Sequence, residues 1–444
     1  MTTFLFIFGH IAIDGIIGWI LLNLRPFNRD YRAEDILLSI LLGMYADTLS
    51  IAAMMFAGIP FASACRATLL MAVIFIIIAL HRRKIPIPSV NIRKPEWYEL
   101  ALLFTIGEKV LFILWQLIRT HMYFDDALHH WSGRARSLYA GINWSVDSES
   151  PYFLAKHLNG SSHYPFLTVI WRAATAFFNG GWDDVISRSD GLIFFVITVA
   201  ITWSAVMRFS QNRRLAAFAA FIVSALPLQA WHAASGYSDI AVETFIAASL
   251  VFLLRRELVL SGIMIGGAAW CKNDGLALYL PAFIVGTVLL QQCRIRQRIE
   301  NIGRFLFGFA TLMPWLVFKY IYSLGVTPNN EKLSWHPDAF KLFWNYVIWG
   351  PTSSIFWLCM FVCIIWLSII MLKDPMGRAL IGIFLTSLTG IAVVFGCTGA
   401  YMFLENQTTI HRSMMQISGI SVIIIAYGIS LKMNKMTEIK NNIS

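Results

Sequence analysis

Residues 4–24 read FLFIFGHIAIDGIIGWILLNL and run straight into Arg25. These 21 residues exceed the roughly 18 apolar residues that identify a membrane-spanning helix. A cleaved secretory leader would open on a basic segment; none precedes this stretch, so it reads as a retained helix. The rest of the chain has the same character. Of its 444 residues 57% are hydrophobic and only 14% charged, with a mean hydropathy of +0.64. A soluble protein of that balance would leave far too much apolar surface in water, so an all-α polytopic membrane protein is expected.

Charge sets the orientation. A net charge of +10 would suggest a nucleic-acid partner if the basic residues formed one patch. They fall instead in short loops between apolar segments, the positive-inside pattern, and no nucleic acid is expected. The cytoplasmic side takes Arg25, Arg29 and Arg32, then His81-Arg82-Arg83-Lys84 with Arg93 and Lys94, then Arg208, Arg213 and Arg214. Arg255 and Arg256, Arg294, Arg296, Arg298 and Arg304, Lys373 and Arg378, and Lys432, Lys435 and Lys440 follow on the same side. About 12–13 transmembrane helices then alternate. They lie near 3–24, 35–57, 64–81, 96–119, 186–207, 213–232, 237–254, 258–271, 275–291, 303–324, 352–372, 379–399 and 411–431. The N-terminus falls outside and the C-terminus inside. Residues 164–178, interrupted by Arg172, break parity. At about 22 Å if fully helical, they fit a helix that enters the outer leaflet and returns better than a crossing. The six cysteines form no CxxC pair, so neither disulfides nor a thiolate metal site is expected.

This topology places residues 120–163 in an outer loop, together with the helix ends at 236–239, 272–274, 327–343 and 401–409. The loop holds Phe124-Asp125-Asp126-Ala127-Leu128-His129-His130-Trp131. Asp125 with His129, or Asp126 with His130, share a helical face at i, i+4. One aspartate suits a general base tuned by a lipid-adjacent site, and either also suits an N-terminal helix cap. Apolar residues at 127, 128, 131, 135, 138 and 139 predict an amphipathic interfacial helix, with Arg134 and Arg136 reaching water or lipid phosphate.

Other polar residues share that face. Lys272-Asn273-Asp274-Gly275 offers a point charge for phosphate next to a helix N-terminus, or a plain turn with a snorkelling lysine. Asp239, after Gly236-Tyr237-Ser238, is read most simply as a helix cap. His411-Arg412 puts an arginine on the side that positive-inside statistics disfavour, which suggests an anionic partner or a headgroup contact. Arg172 and Arg188 are expected to pair with Asp183 or Asp184. Asp14, Asp47 and Glu108 lie inside apolar segments, where acids are either functional or bonded between helices.

The order of these features resembles the GT-C superfamily of integral-membrane glycosyltransferases, close to the protein O-mannosyltransferase and aminoarabinose-transferase type. The acidic pair of the first large outer loop is matched by Asp125 and Asp126, and the His-Pro-Pro stretch by His163-Tyr164-Pro165. The Gly-Tyr-Ala-Asp and Lys-Asn-Glu-Gly turns are matched by Gly236-Tyr237-Ser238-Asp239 and Lys272-Asn273-Asp274-Gly275. The resemblance covers about residues 96–324, with Arg412 beyond it. It implies an N-terminal transmembrane extension over 1–95, a catalytic core over 96–324 and a C-terminal transmembrane module over 325–444.

The resemblance also implies a polyprenyl-phosphate-linked sugar as donor and a glycan, lipid or protein as acceptor. Asp125 or Asp126 would be catalytic, Lys272 and Arg412 would hold the donor phosphate, and His129, His163, Arg188 and Asp239 would contact substrate. The expected location is a bacterial inner membrane with the site on the periplasmic face. No cofactor is specified; loop carboxylates and histidines are compatible with a divalent metal or with none. Alternative readings are an O-antigen-type polymerase, which would carry arginine-rich outer loops, and a lipid-linked glycan flippase or transporter, which would carry charges at the bundle midplane.

Overall fold

Where water is scarce, a helix satisfies every backbone N–H and C=O within its own segment, and this chain relies on helices throughout. The computed structural model describes residues 2–23, 33–81, 94–122, 126–158, 161–290, 295–325, 333–350 and 354–443. Four long helices come first: α1 (Thr2–Asn23), α2 (Ala33–Phe56), α3 (Phe61–His81) and α4 (Trp97–Arg119). Two short ones follow, α5 (Gly133–Ala140) and α6 (Leu167–Asn179), then α7 (Ser189–Ser210), α8 (Arg213–Ala225), α9 (Pro227–Ser235), α10 (Asp239–Leu254) and α11 (Leu258–Cys271). A π-turn, Gly275–Tyr279, leads into α12 (Leu280–Leu289). After it come α13 (Ile295–Phe309), α14 (Met313–Ile321), α15 (Asp338–Trp349), α16 (Ser354–Met371), α17 (Pro375–Cys397), α18 (Tyr401–Glu405), α19 (Ile410–Gln416) and α20 (Ser418–Ile443). Among the described residues there is no β-strand, only an isolated bridge between Ser145 and Phe153.

Seven of the described helical segments are long and apolar enough to cross a membrane, or up to nine if two bent pairs each count as one span. The pairs are α8 with α9, bent by 55°, and α19 with α20, bent by 45°. Shorter apolar helices occur at Leu258–Cys271, Gly275–Leu289 and Ile355–Met371. The 16 residues of α10 are buried almost throughout. The segments expected from sequence therefore divide into complete spans, bent spans and short core helices, all within a polytopic helical protein.

Two helices give the bundle its ends. Asp190 at the start of α7 pairs with Arg172, and Arg208 near its other end pairs with Glu34. Eighteen residues of helix separate these pairs by about 27 Å. In the same way α10 starts at Asp239, among the residues expected outside, and is followed by Arg255, which pairs with Glu34 at 2.5 Å and Asp35 at 2.5 Å. The polar residues assigned to opposite sides from sequence thus lie at opposite ends of the same helices.

Two local expectations change. First, α6 is a single helix of 13 residues, short of a crossing, and everything from Leu167 to Ala176 is buried. It ends at Gly180 with φ at +72°, a left-handed cap. Second, residues 127–139 do not lie as one amphipathic helix with both arginines in water. A π-turn (Ala127–Ser132) precedes α5, and Arg134 is fully buried while Arg136 is exposed. Arg134 donates to Tyr164 O at 3.1 Å and Pro165 O at 3.3 Å, with its guanidinium 4.2 Å from the Phe166 ring centroid. Burial pulls the pKa of that group down to about 9. The physical reason is the donor fork of arginine, which can satisfy itself on loop carbonyls where sequence gives no sign that carbonyls are free.

Candidate functional site

Four separate segments meet at the N-terminus of α10. Asp239 is its first residue, and its carboxylate does not cap the helix: the preceding Ser238 makes no side-chain cap bond and shares a 2.7 Å bond with Thr168. Instead Asp239 Oδ1 accepts from Lys272 Nζ at 2.8 Å and Gln416 Nε2 at 2.7 Å. Its Oδ2 accepts from Arg412 Nη2 at 3.0 Å and Nε at 3.2 Å. His232 Nδ1 stands 3.9 Å from the same oxygen.

The local chain geometry explains the convergence. Lys272 ends α11 with an extended backbone, φ −156° and ψ 150°. Its ammonium reaches both Asp239 and, at 3.1 Å, Asp274. The turn after it must pack against α11, and only glycine fits: a Cβ on Gly275 would lie 2.2 Å from Ala269 N. Arg412 and Gln416 lie one turn apart on α19 and so share a face. Gln416 Nε2 also donates to Asp274 at 2.8 Å, while its Oε1 accepts from Tyr279 at 2.8 Å. The Arg412 guanidinium lies 4.4 Å from the centroid of the Tyr237 ring.

Asp126 completes the set. It makes no cap bond to the π-turn that follows; its carboxylate accepts from Arg412 Nη1, with His130 Nε2 at 3.9 Å from Oδ1. Burial raises the pKa of this carboxyl, but Arg412 outweighs that and, with His130 and Lys272, holds it below the usual carboxylate value. Burial likewise opposes the charged form of Lys272, yet Asp239 and Asp274 keep its pKa above the ordinary value. The cluster therefore brings the carboxylates of Asp126, Asp239 and Asp274 together with the side chains of Lys272 and Arg412. Its floor is closed, because the Asp239 side chain is 0% exposed. Asp126 at 31%, Asp274 at 26% and Arg412 at 15% form the accessible side.

Asp125 lies outside the described residues. Asp126, Lys272, Arg412 and Asp239 come together as set out above. His129 is half-buried in the π-turn. His163 takes part through its carbonyl, which accepts from Asn273 Nδ2 at 3.3 Å and Lys319 Nζ at 3.1 Å, while its ring packs 4.1 Å from Tyr164. Arg188 is buried and ties backbone together: it donates to Leu117 O at 3.0 Å, to Thr120 O at 2.5 Å and to Ala234 O at 3.4 Å. The expected partners of the arginines also change. Arg172 pairs with Asp190 through two bonds of 3.0 and 2.9 Å, and Arg188 meets Asp184 at its backbone carbonyl, at 3.3 Å.

Sequence reasoning missed Gln416 and Tyr279, and treated Asp274 as part of a turn. For Gln416 one signal existed, its i, i+4 spacing from Arg412. No protein-family model matches the chain, and neither a curated protein nor a solved structure does.

Proposed function

We propose that the chain is a membrane glycosyltransferase of the GT-C type, moving a sugar from a polyprenyl-phosphate donor to an acceptor hydroxyl at the outer face. One observation carries this reading: carboxylates from 126, 239 and 274 meet cations from 272 and 412 at a single helix end, opposite the Arg208 and Arg255 end. Such a site offers both poles that glycosyl transfer from a phosphate requires, cations for the leaving group and a carboxylate for the proton.

The donor phosphate would displace Asp126 from Arg412 Nη1 and approach Lys272 from the open side. Charge stabilisation of this kind is worth several kcal/mol where water is excluded. Released from Arg412, Asp126 or its neighbour Asp125 takes the acceptor proton. The acceptor oxygen bonds to the anomeric carbon as the carbon–oxygen bond to phosphate breaks, and the polyprenyl phosphate leaves with that electron pair. In-line displacement inverts the anomeric centre. Asp239, closed to solvent and bonded on both oxygens, sets the positions of Lys272 and Arg412 in this scheme.

A second reading, transport of a lipid-linked glycan, is favoured by the two bent helix pairs, since interrupted helices are a recurrent feature of transporters. One comparison separates the two. Envelope glycans and glycolipids are profiled by mass spectrometry in a deletion strain complemented with the wild-type chain, Asp125→Asn or Asp126→Asn. Transfer predicts one missing sugar and accumulated donor in the deletion and in at least one variant. An unchanged profile with altered uptake would replace transfer with transport.

A further inference from the structure

Inside the membrane-spanning part, α1 and α2 approach unusually closely. A Cβ on Gly43 would lie 1.8 Å from Asp14 O, and one on Gly18 would lie 1.8 Å from Ser39 O. Small residues at such a crossing let two backbones touch. His10, Asp14 and Gly18 follow each other at i, i+4 on α1, as Gly43 and Asp47 do on α2. The contact therefore brings His10, Asp14 and Asp47 into one pocket, each with a donor atom within 4.8 Å of the others. Thr3 Oγ1 donates to Asp183 at the outer end of α1. His10 and Asp14 lie about 10 and 16 Å further along the helix, well inside the span.

The surrounding bonds fix what these groups present. Thr175 donates its single hydroxyl proton to Trp171 O at 2.8 Å. The 2.8 Å bond between His10 Nδ1 and Thr175 Oγ1 must then have the imidazole as donor; in the neutral ring this leaves Nε2 with a lone pair. Nε2 lies 3.4 Å from Asp47 Oδ2. Asp14 Oδ2 accepts from Trp171 Nε1 at 2.9 Å, whereas Asp14 Oδ1, on a fully buried residue, has no hydrogen-bond partner among the described residues. No lysine or arginine among them pairs with Asp14 or Asp47. His10 Nε2 and the carboxylates of Asp14 and Asp47 thus converge between α1 and α2.

We infer that His10 Nε2, Asp14 and Asp47 bind one divalent transition-metal ion of the zinc class between α1 and α2. The donor set, one imidazole nitrogen and two carboxylate oxygens, is the mixture such ions take. The 3.4 Å separation of His10 Nε2 and Asp47 Oδ2 is close to the edge of about 3.3 Å that a tetrahedron with 2.0 Å bonds requires. Each outer partner is of the expected kind, Thr175 orienting the imidazole and Trp171 one carboxylate. Trp171 also stacks on His10, ring centroids 5.2 Å apart. A cavity of about 130 Å³ reaches Asp47; its wall is mostly apolar, with Ile17, Leu21 and Phe75, and is polar at Asp47, Ser50 and Thr68. This site is separate from the Asp239 cluster, and its existence does not depend on glycosyl transfer.

The test uses the full chain purified in detergent, loaded with Zn²⁺ and dialysed, with metal content measured by plasma mass spectrometry. Wild-type protein should retain about one equivalent, and Asp14→Asn and Asp47→Asn under about one tenth of it, because each variant removes a ligand. Co²⁺ in place of Zn²⁺ should give visible d–d absorption in the wild type alone. Loading should raise the wild-type unfolding temperature, and EDTA should reverse the rise; this arm decides the matter if the variants do not fold. Absence of retained metal with no thermal shift, or equal retention in folded variants, would overturn the site in favour of a proton shared between His10 and the carboxylates.

Discussion

At Asp239 a single buried carboxylate accepts from Lys272, Arg412 and Gln416. Asp239→Ala would remove the buried counter-charge that Lys272 and Arg412 share and leave them only the part-exposed Asp274 and Asp126, at a cost of roughly 3–5 kcal/mol. Its unfolding temperature in detergent should fall well below the wild-type value, with Asp239→Asn in between. Asp126 behaves differently, because part of it meets water. Its folded pKa is depressed by Arg412, so its contribution is complete above the unfolded value of about 3.9 and fades as the pH falls through the lower folded value. The gap in unfolding temperature between wild type and Asp126→Asn should therefore be constant near neutrality and narrow only in acid below about pH 4. A gap that already closes near neutral pH would contradict a depressed carboxyl. At this scale the sequence drew attention to Arg412, because an arginine on the side expected to be outside departs from a statistical rule. Gln416 violates none. Arg134 was expected to reach water and Arg188 to pair with Asp183 or Asp184; both bond mostly to carbonyls, which any residue carries.

Among the helices, the bends of α8/α9 and α19/α20 share one anchor. Glu243, on the buried helix α10, accepts from Gly419 N at 2.9 Å and Ser418 Oγ at 2.9 Å, which caps the start of α20 from outside. Its other oxygen accepts from Gln229 Nε2 on α9 at 2.5 Å. Pro227 opens α9, where a proline lacks only a bond the helix start never makes. The prolines and polar residues were readable from sequence, but the bends were not: two continuous helices were expected at 213–232 and 411–431. Glu243→Ala would take the acceptor from Gly419 N and from one Gln229 amide proton, the other staying on Ser418 Oγ at 2.9 Å, costing about 1–3 kcal/mol for each buried group left unpaired. Glu243→Gln keeps an acceptor for Gly419 and should lose less. Unfolding temperatures that rank Ala above Gln would refute this anchoring role.

For the whole molecule, the distribution of charge predicts its sidedness. In a background without the native cysteines, Glu149→Cys in the outer loop and Glu300→Cys in α13, both exposed positions, should react oppositely with a membrane-impermeant maleimide. In intact cells the first should label and the second should not, until the membrane is permeabilised; the reverse pattern would invert the orientation. The sequence by itself determined the helical class, the membrane setting and the segregation of basic loops. Each of these follows from transfer free energies that sum over local composition. It also singled out Asp126, Asp239, Lys272 and Arg412 as candidate site residues. Only the tertiary structure decided that they touch, that Gln416 and Asp274 join them, and that His10 and Asp14 meet Asp47 through the Gly18 and Gly43 crossing. Contacts between segments hundreds of residues apart depend on how helices cross and bend, and on small residues that allow backbones to approach. Those are properties of packing, which the hydropathy of one segment does not contain.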